Sequence, residues 1–225
     1  NSLITEFVFF VAIAIAVFFP VTVAAQITVD TTISADTTSQ QVLGANNVTI
    51  TNDANINFTG SGAINILTFT GVTITNNAGA SINALGSGND QAIDASNAAV
   101  NNLTIINSGT ISANDNQTIR VNNDSNFTLT NNAGGLISAG RTAISISTGG
   151  GTITNSGTIT TTGAGEAIRT ATSIGLTITN NAGGVFSSTG TSGVIRLDQN
   201  NTIINSGSII NSTSVDNNAI RLDGN

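Results

Sequence analysis

Seven times along the chain a short stretch alternates outward polar and inward apolar residues and closes on asparagine. The clearest copies are Val48-Thr49-Ile50-Thr51-Asn52, Val72-Thr73-Ile74-Thr75-Asn76, Phe127-Thr128-Leu129-Thr130-Asn131 and Leu176-Thr177-Ile178-Thr179-Asn180. Leu103 to Asn107, Gly151 to Asn155 and Asn201 to Asn205 complete the set. A period of two predicts half-buried strands, with Ile50 inward and Thr49 outward, and excludes amphipathic helix at these positions. The asparagines Asn52, Asn76, Asn107, Asn131, Asn155, Asn180 and Asn205 follow one another at steps of 24, 31, 24, 24, 25 and 25 residues. A fixed period of that size is the signature of a solenoid.

Turns follow most of these asparagines, alternately Asn-Asn-Ala-Gly after Asn76, Asn131 and Asn180 and Asn-Ser-Gly after Asn107, Asn155 and Asn205. Glycine there supplies backbone angles that other residues resist. A second strand is expected around Ile56, Ile82, Ile111, Ile137, Ile159, Phe186 and Ile209, and a third around Ile64, Ile93, Ile119, Ile144, Ile168, Ile195 and Ile220. Val121, Ile146, Leu197 and Leu222 supply a second inward residue in the third strand. Three strands per repeat, with no helical crossover, predict an all-β parallel β-helix of about seven rungs over residues 48–225, each strand paired with its own equivalent. The preference of parallel connections for one hand makes it right-handed. At ~4.8 Å per rung the rod is roughly 33 Å long, and each large inward side chain contributes about 1.5–3 kcal/mol. Residues 26–47 lack the repeat and are expected to cap the first rung, since an uncovered solenoid end exposes strand edges. At the other end Ile220 to Asn225 stops within a third strand with no cap, as a truncated record would.

Phe7 to Ala25 is an apolar run broken only by Pro20 and Thr22, and it ends on the small residues Val23-Ala24-Ala25. That predicts residues 1–25 as a signal peptide cleaved before Gln26; a membrane anchor is the competing reading. The chain begins at Asn1 rather than Met and shows no basic segment before the run, as if its first residues were missing.

Composition narrows the chemistry. Five Lys+Arg, all arginine, stand against 12 Asp+Glu for a net charge of −7, which argues against nucleic acid and against charge-driven membrane binding. Membrane association is expected only through the leader or a separate translocator barrel. With no His and no Cys, the common nucleophilic triads, thiolate or imidazole metal sites and disulfides are excluded.

The leader, the lack of cysteine, and rungs spelled Thr152 to Ile159 (Thr-Ile-Thr-Asn-Ser-Gly-Thr-Ile) with a following Ala167-Ile168-Arg169 resemble bacterial autotransporter passenger domains over about residues 48–225. Members of that family carry a signal peptide, a right-handed β-helical passenger and a carboxy-terminal outer-membrane barrel. The resemblance implies a secreted or cell-surface adhesin, associated with the outer membrane, that touches a host or environmental surface, glycan or protein. Passengers of that family include enzymes as well as adhesins, and it is the residues, with no His, Cys or Lys, that lead us to expect no enzyme activity and no cofactor or metal.

Four features are candidates for function. The Asn column shares the phase of the inward residues and is expected to be a structural ladder of stacked amides. The rung between Asn76 and Asn107 is expanded, with inserted loops around Leu85 to Asp90 and Ala95 to Asn101; Gly86, Ser87, Gly88, Asn89 and Asp90 form the candidate binding loop. Gly86 to Gly88 is no phosphate loop, for no Lys follows. Outward threonines form two rows, one through Thr49, Thr73, Thr104, Thr128, Thr152, Thr177 and Thr202 and one through Thr51, Thr75, Thr130, Thr154 and Thr179, interrupted by Ile106 and Ile204. Such rows look like the face of ice-binding solenoids, although threonine also suits any exposed strand. Arg120, Ser145, Arg169, Arg196 and Arg221 form a further column, either a strip that grips anionic glycans or an exposed face in which Asp198 and Asp223 interleave and partly neutralise the charge. Pectin-cleaving enzymes share the solenoid, and Asp90 with Asp94 is the closest carboxylate pair, but neither a lysine nor a third clustered acid accompanies it.

Overall fold

A computed structural model describes residues 26–97, 100–172, 175–212 and 218–223; the leader lies outside the described residues. Among them there is no helix, and every paired strand is parallel. One turn of the coil runs through Thr49–Asn52, then Asn55–Phe58, then Ile64–Asn65 before the next copy begins at Thr73–Asn76. These three positions build three sheets, of eight, seven and nine strands. We call them the Thr sheet, the middle sheet and the Arg sheet after their outward residues. The chain is a parallel β-helix of about seven repeat turns.

Register follows the repeat. Thr49, Thr73, Thr104, Thr128, Thr152, Thr177 and Thr202 stand in line on the Thr sheet. Ile56 to Ile209 align on the middle sheet. Ile64 to Ile220 align on the Arg sheet. One-residue slippage would turn every isoleucine to solvent, so burial itself fixes the register. The three inward columns meet in one dry core in which Ile50, Ile82, Ile119 and Ile153 are fully buried. Phe127, also fully buried, is in register with Gly151, so a bulky rung is followed by one without a side chain and the column keeps its volume.

Residues 26–47 form an irregular turn of the same coil. Gln26–Ile27 and Gln41–Leu43 join the Arg sheet, Thr31–Ile33 joins the Thr sheet, and Thr37 bridges to Ile56. Ile27 and Ile33 lie buried over the first repeat rung. At the other end Leu222 is in register with Leu197 yet 68% exposed, contrary to the inward position expected for it, because no described rung covers it.

The two corner types alternate for a steric reason. In the long corner a turn closes between Asn181 O and Gly184 N at 2.9 Å, with Gly183 at φ +86°. In the short corner below it, a Cβ on Gly157 would lie 2.5 Å from Asn132 O and closer still to Gly135 O, both backbone atoms of the preceding long corner. The short corner therefore nests under the carbonyls of the long one. Gly109 and Gly207 repeat the close approach. Gly157→Ala should destabilise the rod by about 1–3 kcal/mol through backbone displacement, against a few tenths for the outward Thr158→Ala. Equal midpoints for the two variants in a denaturant titration would disprove the nesting.

Candidate contact surfaces

The asparagine column is internal. Asn52, Asn76, Asn107, Asn131, Asn155 and Asn180 are fully buried, and each Nδ2 donates to the Oδ1 of the next at 2.8–2.9 Å, ending on Asn205. The same amide nitrogens also reach main-chain carbonyls, as Asn155 Nδ2 reaches Val185 O at 3.2 Å. Each amide from Asn76 to Asn180 is thus donor upward and acceptor from below, and a chain of aligned dipoles polarises itself in a low-dielectric interior. The series begins at Asn52 because Ile33 occupies the register position before it, leaving Asn52 Oδ1 with no hydrogen-bond partner. No ligand reaches a column closed in this way. Asn155→Ala strands one donor and one acceptor and should cost about 1–3 kcal/mol, clearly more than Thr152→Ala on the outer face of the same strand. Similar losses in chemical denaturation would invert the inside and outside of this strand.

The candidate loop lies at the corner between the middle and Arg sheets, after Ser81–Ala84 and before Ile93–Ala95. Ser87, Gly88 and Asn89 are exposed, as is Leu85 at 42%. Its base is tied to the rod: Asn114 Nδ2 donates to Leu85 O at 3.0 Å and Asn116 Nδ2 to Asn89 Oδ1 at 3.2 Å. Gly86 packs against the Asp90 carboxylate so closely that a Cβ would collide with it. The second insertion follows strand Ile93–Ala95, so both expanded corners flank Asp94. No hydrogen bond or shared partner joins Asp90 to Asp94; the Asp94 carboxylate instead accepts Ser96 N–H at 3.0 Å. Among the described residues no three acids gather around a metal-sized gap.

Sequence reasoning missed Asp124. It is fully buried on the rung after the insertion and accepts three main-chain N–H groups, from Asn102 and Asn126 at 2.9 Å and from Leu103 at 2.8 Å. Three charge-assisted bonds offset the cost of burying a carboxylate, and they clamp the second inserted loop to the rod. Its one signal is positional, an acid directly after Asn122-Asn123 where the loop before it must be held.

The Thr sheet presents both threonine rows in register, and Thr32 extends the second row through Thr51. None of these row hydroxyls bonds within the described residues. They face solvent free of internal partners.

On the Arg sheet Asp94, Arg120, Ser145, Arg169, Arg196 and Arg221 stand in line. Asp223 interleaves as expected, bonding Arg196 Nε and, at 2.7 Å, Arg221 Nε. The Arg196 hydrogen bond holds the Asp223 carboxyl below its ordinary range. The same hydrogen bond raises the pKa of the Arg196 guanidinium. Glu166, almost buried, comes within 4.0 Å of Arg196. Asp198 does not interleave: its carboxylate turns to the neighbouring Gln199 N–H at 2.9 Å. Arg120, Arg141 and Arg169 have no carboxylate at ion-pair distance among the described residues.

No protein-family model, curated protein or solved structure matches the chain. The fold rests on its own register and burial.

Proposed function

We propose that the chain is a secreted or surface-displayed β-helical rod of the autotransporter-passenger kind, a non-enzymatic adhesin that acts by holding contact groups away from a bacterial cell. The observation carrying this reading is the in-register repetition of outward side chains on a closed, dry core. Each rung presents the same group ~4.8 Å from the last, so contacts that are individually weak add along the rod. The leader Phe7 to Ala25 and the wording of the rungs support export and the resemblance to passengers. The expanded rung breaks the repetition and supplies a chemically distinct loop, Gly86 to Asp90.

Beads coated with the chain should attach to target cells or glycan-coated surfaces above the level of uncoated beads. Deleting Gly86 to Asn89 should lower attachment while far-ultraviolet circular dichroism and melting temperature stay nearly unchanged, because exposed insertions contribute little to the core. Wild-type beads that attach no better than bare ones would refute the display reading. Reducing ends released from polygalacturonate by the wild type, and not by Asp90→Asn or Asp94→Asn, would instead establish a polysaccharide-acting enzyme.

A second reading has its own observation, the free hydroxyls of the two threonine rows. Spaced ~4.8 Å across strands and about 7 Å along them, they form a flat lattice suited to ordering water into ice. Thr128→Lys with Thr152→Lys should then abolish ice-crystal shaping, while the loop deletion leaves it intact. Crystals grown with wild-type protein that keep the form seen in plain buffer would eliminate this reading.

A further inference from the structure

We infer that the outer face of the Arg sheet carries a track for a linear acidic polysaccharide, gripped by Arg120 and Arg169 with Ser145 between them. The inference rests on the display reading and names a ligand class for it.

The placement of charge carries it. Four of the chain's five bases stand in one column of one sheet, and the fifth, Arg141, lies in the corner leading into strand Ile144–Ile146 of that sheet. A chain of net charge −7 has acids to spare, and at the far end of the column it uses them, with Asp223 and Glu166 around Arg196 and Arg221. In the middle it does not. Among the described residues neither Arg120 nor Arg169 has a carboxylate at ion-pair distance, and the Asp94 carboxylate in register with Arg120 accepts Ser96 N–H. At the edge of this stretch the corner residues Asn122 and Thr172 are neutral and bond to the main chain of the rung before, at Ser96 O and Ser147 O, each at 2.8 Å.

Spacing selects a polymer. Two rungs separate Arg120 from Arg169, so their heads lie ~9.6 Å apart along the rod axis. At about one Debye length in 0.1 M salt they repel each other little, yet each keeps a full fork of donors for a carboxylate or sulfate. A single small anion meets one of them. A stiff chain lying along the axis, with acid groups recurring on alternate sugars, meets both, and its hydroxyls fall on Ser145, Ser147 and Thr172. Nucleic acid fits poorly, since a phosphate every ~1.7 Å of duplex demands far more than two free bases.

The test passes the chain over immobilised heparin, polygalacturonate and neutral dextran at low ionic strength. Wild type should be retained on at least one acidic matrix, pass through dextran, and elute as salt rises. Retention on heparin alone assigns the acid as sulfate, and on polygalacturonate alone as carboxylate. Arg120→Gln with Arg169→Gln should weaken affinity about tenfold or more. Arg196→Gln with Arg221→Gln removes the same two charges from the neutralised end and should change affinity less than about twofold. Circular dichroism confirms that both double variants are folded. Flow-through of wild type on all three matrices, or equal losses in the two double variants, would overturn the track. Attachment of coated beads to cells that is indifferent to Arg120→Gln with Arg169→Gln would likewise discard the track and leave the display reading standing.

Discussion

Stacking a residue on its own copy ~4.8 Å away is the constraint on which the rest of this structure depends. Inside the coil, only side chains that are compatible with themselves survive the repetition. Isoleucine qualifies by shape. Among polar groups the carboxamide qualifies by chemistry, since it carries both donor and acceptor and so can satisfy the copy above and the copy below. A column of buried aspartates would repel, and a column of buried threonines would leave the strand bend without the second donor that Asn155 sends to Val185 O. The fully buried ladder from Asn52 to Asn180 is therefore what lets the chain bend sharply out of the Thr sheet without leaving main-chain carbonyls unpaired. Where the repetition stops, so does the satisfaction: Ile33 precedes Asn52, and the Asn52 oxygen is orphaned.

The self-compatibility rule explains why so much was legible in the residues. Period-two alternation around Ile50, Ile82 and Ile119 declares three inward strands, and the recurring asparagine sets their phase. What was not legible lies where one rung differs from its neighbour. The nesting of Gly157 beneath Gly135 depends on two corners that are distant in sequence and of different length. The irregular turn over residues 26–47 offers two- and three-residue strands, too short for periodicity to register. Asp124 is a carboxylate on an otherwise apolar inner phase, and nothing in its immediate sequence announces the two N–H groups that reach it from the rung before, beside the one from its own Asn126. Asp198 shows the converse: column arithmetic put it beside the arginines, but a local bond to Gln199 is closer at hand than any cross-rung partner.

Outside the coil the same stacking acts in the opposite sense. Outward residues need no self-compatibility, because water satisfies them, so each column is free to hold whatever its use demands. The Thr sheet keeps one uncharged group on every rung, and the middle sheet ties short polar chains together, as Ser112 Oγ does to Asn83 Oδ1 at 2.7 Å. The Arg sheet alone stacks like charges, which screening and interleaved acids make tolerable at Arg196 and Arg221. Arg120 is kept from Arg169 by the neutral Ser145 rung between them, whereas Arg169 stands beside Arg196, whose charge Asp223 and Glu166 offset.

That spacing device shows how a solenoid separates folding from function. The core fixes a ruler along the rod axis, and a substitution on an outer column moves a chemical group by whole rungs without disturbing the inner ones. Insertions obey the same logic. The loop around Gly88 extends a corner outward while Ile93 keeps its register with Ile64, and the second insertion sends Val100 into the core without disturbing the register of Thr104 with Thr128. An expanded rung must still be fastened, and Asp124 supplies the fastening from the next turn, as a buried charge whose partners are the main-chain groups of Asn102 and Leu103, just after the inserted segment, and of Asn126 in its own corner. The position of a buried polar group that is not self-stacking thus marks where a regular rod has been adapted. Here the mark falls one rung from Asp94 and on the rung of Arg120, where the chain passes from the Arg sheet to the Thr sheet, so the rod is adapted at the rung where the arginine column begins.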